Sequence, residues 1–148
     1  MKKDFTKIGI AADHAGFELK EALKKYLQNR GVELMDFGTN TTESMDYPDV
    51  AHPLAEAVSS GLVELGVAIC GSGNGINMTV NKHQHIRAAL CWNSELSRLA
   101  RLHNNANILS LPARFITVDE AIKILSSFLD TEFEGGRHLN RVDKIACQ

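Results

Sequence analysis

The sequence predicts an α/β protein with a five-stranded parallel sheet covered by helices on both faces. Five short apolar runs alternate with segments whose apolar residues recur at helical spacing, and this alternation is typical of a parallel sheet. The 148 residues suit one ordinary domain and contain neither an internal repeat nor a linker. We therefore expect a single domain over residues 1–148.

The boundaries of the predicted elements follow from where each apolar pattern starts and stops. Gly31 is typical of a helix end and Pro48 of a helix start, while Asn93 and Thr117 are typical helix caps. The strands are predicted at residues 7–12, 32–37, 66–70, 86–92 and 108–111. The helices are predicted up to Gly31, over 48–60, over 74–82, from 94 to the segment 103–105, from 118 to the glycine pair 135–136, and over 137–146.

Charge and cysteine content exclude several classes of protein. A formal net charge of -2 provides no electrostatic attraction for nucleic acid or an anionic membrane. Three cysteines without C-x-x-C spacing form neither a disulfide framework nor a zinc knuckle, so a reducing compartment fits. The sequence shows neither a signal peptide nor an apolar run of about 20 residues. We expect a cytoplasmic protein with no membrane or nucleic-acid partner.

A glycine-rich loop, Gly71-Ser72-Gly73-Asn74-Gly75, follows the third predicted strand. Its glycines allow a tight turn and expose N–H groups beside a helix N-terminus, which favours an anion. The loop lacks the Lys-Ser/Thr of a P-loop, and Ile76 stands where a dinucleotide fingerprint has its third glycine, so nucleotide binding is disfavoured. A tight turn without a ligand is the alternative.

Cys70 ends the strand directly before this loop. Loop N–H groups and the helix dipole favour a thiolate there, and a thiolate can act as a base. Alternatively, a cysteine on an apolar strand is an inert core residue, which is how we interpret Cys91 on a predicted central strand. Cys147 lies in the C-terminal tail.

Basic side chains mark two later segments. His103 lies at a predicted helix end, where the helix dipole favours a positively charged imidazole suited to proton donation; a plain helix cap is the alternative. Arg137 and Arg141 are four residues apart on the last predicted helix, next to a glycine pair, and suit a phosphate; a solvated terminal helix is the alternative. Arg114 follows the fifth predicted strand.

Further polar residues follow the first two strands, namely Asp13-His14 and Asp46-Tyr47. Each is also a common turn residue. Ligands of open α/β sheets bind beyond the carboxyl ends of the strands, so we expect the base, the glycine loop, the histidine and the arginines to converge at that edge. This combination predicts an enzyme for a small anionic substrate. His83 and His85 have no carboxylate or cysteine nearby in sequence, so we expect no metal site and no cofactor.

In its motifs, the chain resembles the ribose-5-phosphate isomerase B family, which also contains galactose-6-phosphate isomerase subunits. The matching segments cover nearly the whole chain in order and are highly specific in combination. They are Ala12-Asp13-His14-Ala15-Gly16, Asp46-Tyr47-Pro48, Cys70-Gly71-Ser72-Gly73-Asn74-Gly75-Ile76, Asn81-Lys82, Ile86-Arg87-Ala88, His103-Asn104-Asn105-Ala106-Asn107 and Glu134-Gly135-Gly136-Arg137-His138.

The resemblance implies a three-layer Rossmann-like sandwich that forms a dimer or tetramer with active sites shared between subunits. The implied reaction interconverts ribose 5-phosphate and ribulose 5-phosphate in the pentose phosphate pathway, through an enediolate. The implied catalytic residues are Cys70 as the base, His103 as the residue that opens the sugar ring, and Ser72, which stabilises the enediolate oxygen. The implied substrate-binding residues are Asp13, His14, Tyr47, Gly71, Gly73, Asn74, Gly75, Asn104, Arg114, Arg137 and Arg141.

Two departures from the family pattern bear on the mechanism. One branch of the family has a glutamate after the glycine loop as base, whereas this chain has Ile76 and keeps Cys70, so a cysteine base is expected. Ser72 replaces a frequent threonine and retains the hydroxyl. The alternatives are an isomerase of allose 6-phosphate or galactose 6-phosphate, and a non-catalytic sugar-phosphate sensor.

Overall fold

The computed structural model describes residues 4–147 and contains the predicted parallel sheet. All strand pairs are parallel, and the strand order is β2-β1-β3-β5-β4. The α/β fold class is therefore confirmed. The strands are β1 (Lys7–Ala12), β2 (Glu33–Asp36), β3 (Leu65–Cys70), β4 (Ala88–Leu90) and β5 (Ile108–Pro112).

Helices cover both faces of the sheet and make it the middle of three layers. They are α1 (Phe17–Asn29), α2 (Pro48–Ser59), α3 (Asn74–Val80), α4 (Ser94–Asn104), α5 (Val118–Asp130) and α6 (Arg137–Asp143). One apolar core joins the sheet to α1, α4 and α5, and the other joins it to α2 and α3. The short α6 packs against α4. Within residues 4–147, no helix combines the length and apolar character needed to cross a membrane.

The fourth strand is shorter than the predicted 86–92 and lies at the edge of the sheet. The prediction that Cys91 lies on a central strand is therefore wrong, since β5 separates β4 from β3. The chain before β4 is held by a turn and by a side chain: Ile86 N donates to His83 O, and Arg87 N donates to Asn107 Oδ1 at 2.8 Å. Cys91 is nevertheless buried, under the helices of the first core.

Helices α3, α5 and α6 also end earlier than predicted. Helix α5 stops at Asp130, before the glycine pair, because Thr131 is extended and its carbonyl accepts a hydrogen bond from Arg101 Nε. The chain then runs beside α4, with Glu134 N donating to Leu102 O at 2.9 Å. Helices α3 and α6 end at Val80 and Asp143 rather than at 82 and 146, each finishing in a tighter turn.

An ion-pair cluster joins α1 to the end of β2. The Lys20 side chain has no solvent exposure, and its Nζ lies 2.6 Å from Asp36 Oδ2 and 3.0 Å from Glu21 Oε2. Lys24 Nζ is 2.9 Å from the same Asp36 oxygen. Burial opposes ionisation of Asp36, but hydrogen bonds from Lys20 and Lys24 outweigh it and lower the pKa of that carboxyl. The charge of Lys20 is thus balanced inside the protein.

We expect Asp36→Asn to lower the free energy of unfolding at pH 7 by about 2–3 kcal/mol, because it leaves a buried ammonium without its closest counter-charge. Because the pKa of Asp36 is depressed, its contribution is present above about pH 4 and is lost as the pH falls through the folded-state pKa. The difference between the two proteins in urea denaturation should therefore shrink in acid.

Glu95→Gln is the matched control for this variant. It makes the same carboxylate-to-amide change in an exposed pair with Arg98 and should leave unfolding unchanged. Equal losses in both variants would contradict the structural role of the Lys20–Asp36 pair.

Candidate active site

The glycine loop after β3 is held in close contact with its neighbours. Gly73 has φ +77°, and a Cβ there would lie 2.4 Å from Leu90 Cδ1 and 3.1 Å from the backbone of Leu111. A Cβ on Gly75 would lie 2.4 Å from Tyr47 Cζ. Glycine is therefore required at Gly73, for its backbone angle and for the close approach of the Leu111 backbone, whereas at Gly75 it lets the Tyr47 ring pack directly against the loop. Ser72 Oγ accepts from Asn74 N at 3.2 Å and closes the loop.

A groove of about 550 Å³ lies over this loop, at the edge where the strands end, which we call the carboxyl edge. Its volume is in the range of small-molecule sites. It brings together the predicted residues of three strand ends and of the loop before α2. The lining residues are Asp13, His14, Ala15, Tyr47, Cys70, Gly71, Ser72, Gly75, Arg114 and Phe115.

The residues after β1 are fixed by short hydrogen bonds. Asp13 is buried, and its Oδ1 accepts from Ala15 N and Gly16 N at 3.0 and 3.2 Å, which caps the 3₁₀ turn His14–Gly16. His14 Nδ1 accepts from Met45 N at 3.2 Å. A neutral imidazole that accepts at one nitrogen carries its proton on the other, so His14 Nε2 is a donor.

Arg114 brings a positive charge to the groove. Its backbone N donates to Gly71 O at 2.9 Å, and its Cδ and Nη1 would each lie 3.2 Å from a Cβ on Gly71. The side chain therefore lies directly over the loop backbone. With Ser72 and the loop N–H groups, this guanidinium makes the groove suitable for an anionic ligand.

The three cysteines differ in their surroundings. Cys70 is buried but lines the groove, directly before the glycine loop. Cys91 is enclosed by the core, and burial raises the pKa of its thiol to about 12, so it stays protonated and unreactive at neutral pH. Cys147 is exposed near the C-terminus. Only Cys70 combines a place beside the loop with access to a groove.

Four predicted site residues lie at the opposite edge of the sheet, where the strands begin, which we call the amino edge: His103, Asn104, Arg137 and Arg141. Helix α4 leaves the carboxyl end of β4 and must return to the start of β5, so its last residues, His103 and Asn104, reach the amino edge. Eleven helical residues span about 16 Å. The expectation that His103 and Asn104 converge with Cys70 in one chain is therefore wrong.

Helix α6 places the two distal arginines with His103 rather than with the groove. Arg137 and Arg141 are exposed on α6, which packs against α4. Their predicted convergence with Arg114 at the carboxyl edge is also wrong, since α5 carries the chain back to the amino edge before α6 begins. The predicted site thus divides into two groups, one at each edge.

A cluster that the sequence did not suggest surrounds His103. The imidazoles of His103 and His138 stack with ring centroids 4.2 Å apart and planes 16° apart. Glu134 Oε2 lies 2.9 Å from His138 Nε2 and 3.9 Å from His103 Nε2. Glu134 and His138 are four residues apart, a visible spacing, but nothing in the sequence indicates that α4 brings His103 next to them.

These three side chains have metal-ligand chemistry, although the sequence predicts no metal site. Their ligand atoms lie within 4.8 Å of one another. A metal bonds to imidazole in the plane of the ring, however, and two nearly parallel stacked rings do not aim their nitrogens at a common point. The arrangement suits two imidazoles that share one carboxylate.

A second hollow of about 560 Å³ adjoins the groove and shares Ser72 and Phe115 with it. Apolar side chains at its rim are unusually exposed: Phe115 by 74% and Trp92 by 55%. This rim lies at the carboxyl edge, beside the glycine loop. It gives the candidate site an apolar border on one side.

Comparisons with known proteins identify the family of the chain. The family model described as Ribose/Galactose Isomerase matches residues 8–145. A Mycoplasma pneumoniae protein described as a probable ribose-5-phosphate isomerase B is 44% identical over 139 residues, covering 93% of this chain and 91% of the relative.

Solved structures give the same result. A ribose 5-phosphate isomerase from Thermotoga maritima matches with a TM-score of 0.93 and 48% identity, over 95% of this chain and 97% of that one. Ribose-5-phosphate isomerase B from Mycoplasma genitalium, solved with bound ribulose-5-phosphate, matches with a TM-score of 0.91 and 42% identity, over 95% and 93% of the two chains. The three-layer Rossmann-like sandwich and the family resemblance are thereby confirmed, and the chain belongs to the ribose/galactose isomerase family.

Proposed function

We propose that this chain interconverts ribose 5-phosphate and ribulose 5-phosphate, with Cys70 as the base. The observation that carries the proposal is the groove in which Cys70 adjoins the glycine loop, Ser72 and Arg114. The Mycoplasma genitalium relative with bound ribulose-5-phosphate supports the choice of a five-carbon substrate. Within the family, this is an aldose–ketose isomerisation without a cofactor.

The proposed proton transfer uses the residues of the groove. The Cys70 thiolate takes the proton from C2 of the open-chain aldose, and the electron pair forms the C1–C2 double bond of an enediolate. Ser72 and the loop N–H groups stabilise the charge that develops on O1. The thiol returns its proton to C1 while the O2 proton is transferred to O1, so C1 is reduced and C2 oxidised with no atoms gained or lost.

The remaining groove residues hold the substrate in this proposal. Asp13 and Tyr47 bind sugar hydroxyls, and His14 and Arg114 contribute donors to the phosphate. Because the phosphate does not react, its binding energy serves mainly to orient C1 and C2 beside Cys70. The residues at the amino edge also take part: Arg137 and Arg141 complete the phosphate site, and Asn104 binds a sugar hydroxyl.

His103 is the proposed ring-opening residue. Opening a furanose breaks the C1–O4 bond, moves a proton from O1 and delivers one to O4, and an imidazole can donate and accept in turn. His103 cannot do this for Cys70 of its own chain, because the two lie at opposite edges of the sheet. We therefore propose a dimer, or a tetramer of such dimers, in which each groove receives His103, Arg137 and Arg141 from a second copy.

The substrate assignment is tested by incubating the purified protein with ribose 5-phosphate, allose 6-phosphate and galactose 6-phosphate and following conversion by NMR. We expect the highest kcat/KM with ribose 5-phosphate, and unchanged activity after exhaustive EDTA treatment, since the loop and arginines carry the substrate's charge. Preference for a six-carbon substrate, or activity restored only by a divalent ion, would contradict this assignment.

The shared site is tested by mixing two inactive variants, Cys70→Ala and His103→Ala. In a mixed dimer, one of the two grooves combines an intact Cys70 with an intact His103. After subunit exchange, random pairing should restore about a quarter of wild-type activity, because half of the dimers are mixed and half of their sites are intact. An active monomer in light scattering, or mixtures that remain inactive despite exchange, would contradict the proposal.

Cys70→Ala alone should lower kcat by about 10²–10⁴-fold, the usual effect of losing a general base, and leave KM close to the wild-type value. Cys91→Ala is the control and should keep nearly full turnover. Iodoacetamide should inactivate the wild type, and ribose 5-phosphate should slow that inactivation. A Cys70→Ala protein that exchanges the C2 proton at the wild-type rate would exclude Cys70 as base.

A thiol base also requires a reducing compartment, so we propose that the protein is cytoplasmic.

A further inference from the structure

The His103 cluster is anchored to the backbone from both sides. Glu134 N donates to Leu102 O at 2.9 Å, which ties the carboxylate-bearing residue to the position next to His103. The two glycines that follow have φ +70° and +54°, and they turn the chain so that His138, at the start of α6, comes back beneath Glu134. A side chain at either glycine would strain this turn.

The Glu134 carboxylate lies against the His138 ring. His138 is buried, and Glu134 Oε2 lies 2.9 Å from its Nε2, although the two atoms do not meet hydrogen-bond geometry. The close approach of Glu134 Oε2 on one side and the stacked His103 ring on the other restrict where the His138 ring can lie.

The stacked His138 ring in turn restricts the orientation of the His103 ring. The His103 ring lies at a surface, with its side chain 36% exposed, and the nearly parallel His138 ring restricts its rotation from one side. The 3.9 Å approach of Glu134 Oε2 attracts the Nε2 end of the His103 ring. Both contacts come from the same chain as His103 and do not depend on a second copy.

We propose that Glu134 and His138 are positioning residues that hold His103 for ring opening and are not needed for proton transfer between C1 and C2. This inference rests on the proposed function. It follows from the contacts of the cluster, because Glu134 and His138 contact His103, whereas Cys70 of the same chain lies at the other edge of the sheet.

The two substrates of the reaction separate these steps. Ribose 5-phosphate closes O4 onto C1 in a five-membered ring, which must open before C2 can be deprotonated. Ribulose 5-phosphate carries its phosphate on O5, so no free hydroxyl can close a five-membered ring onto C2 and the sugar stays open. Exchange of its C1 protons with solvent therefore needs the base but not the ring-opening residue.

The experiment measures both steps in Glu134→Gln and His138→Phe. The first keeps the shape of the side chain without its charge, and the second keeps a stacked ring without the carboxylate contact. We expect kcat for ribose 5-phosphate to fall about 10–100-fold, the range for losing one contact to a charged partner, with little change in KM. Exchange of the C1 protons of ribulose 5-phosphate in D₂O, followed by NMR, should stay at the wild-type rate.

Glu95→Gln is again the matched control, at the far end of the same helix as His103, and should leave both rates unchanged. Unchanged turnover of ribose 5-phosphate in Glu134→Gln and His138→Phe would overturn the proposal. An equal loss in turnover and exchange would also overturn it, since that pattern indicates a general structural defect. A wild type that converts neither sugar would instead refute the proposed function on which it rests.

Discussion

The direction of the strands is the constraint on which this site depends. The strands β1 to β5 run the same way, so the helix between two successive strands must carry the chain from the carboxyl edge back to the amino edge. A residue just after a strand and a residue at the end of the following helix are therefore a full helix length apart. In this chain, Cys70 has the first kind of position and His103 the second.

The common strand direction explains why the two edges of the sheet carry different groups of side chains. The carboxyl edge supplies turns, a glycine loop and a buried thiol, which are the components for stabilising a reacting oxygen. The amino edge supplies a helix end and a short helix with exposed arginines, which suit proton donation and phosphate binding. The described residues of the chain therefore form two separate groups of polar side chains, one at each edge of the sheet.

Much of the fold could be predicted from the sequence because local signals agree with one another. The capping box at Thr117 and Glu120 and the Asn93 cap are present as expected, and Asn105 takes the left-handed conformation at the end of α4. Predictions were wrong where a distant partner decides the outcome. Residues 86–87 leave the sheet because of the Asn107 side chain, and α5 stops early because Arg101 binds the Thr131 carbonyl.

The same contrast between local signals and distant partners applies to the candidate site. Apart from Tyr47 in the loop before α2, the groove residues closely follow strands, so a parallel sheet alone predicts that they meet. His103, Arg137 and Arg141 do not directly follow strands, and helices α4 and α5 return the chain to the amino edge before these residues are reached. The contact of Glu134 and His138 with His103 depends on how the segment after α5 lies along α4, which no local pattern encodes.

The apolar rim beside the glycine loop has a consequence for observing the molecule. Trp92 is the chain's single tryptophan, and it lies at the hollow that shares Ser72 and Phe115 with the groove. Indole emission depends on the polarity around the ring, and more than half of this side chain is exposed to solvent. The protein's intrinsic tryptophan fluorescence therefore comes entirely from the border of the candidate site, so an unlabelled sample carries its own optical probe of whatever covers that border.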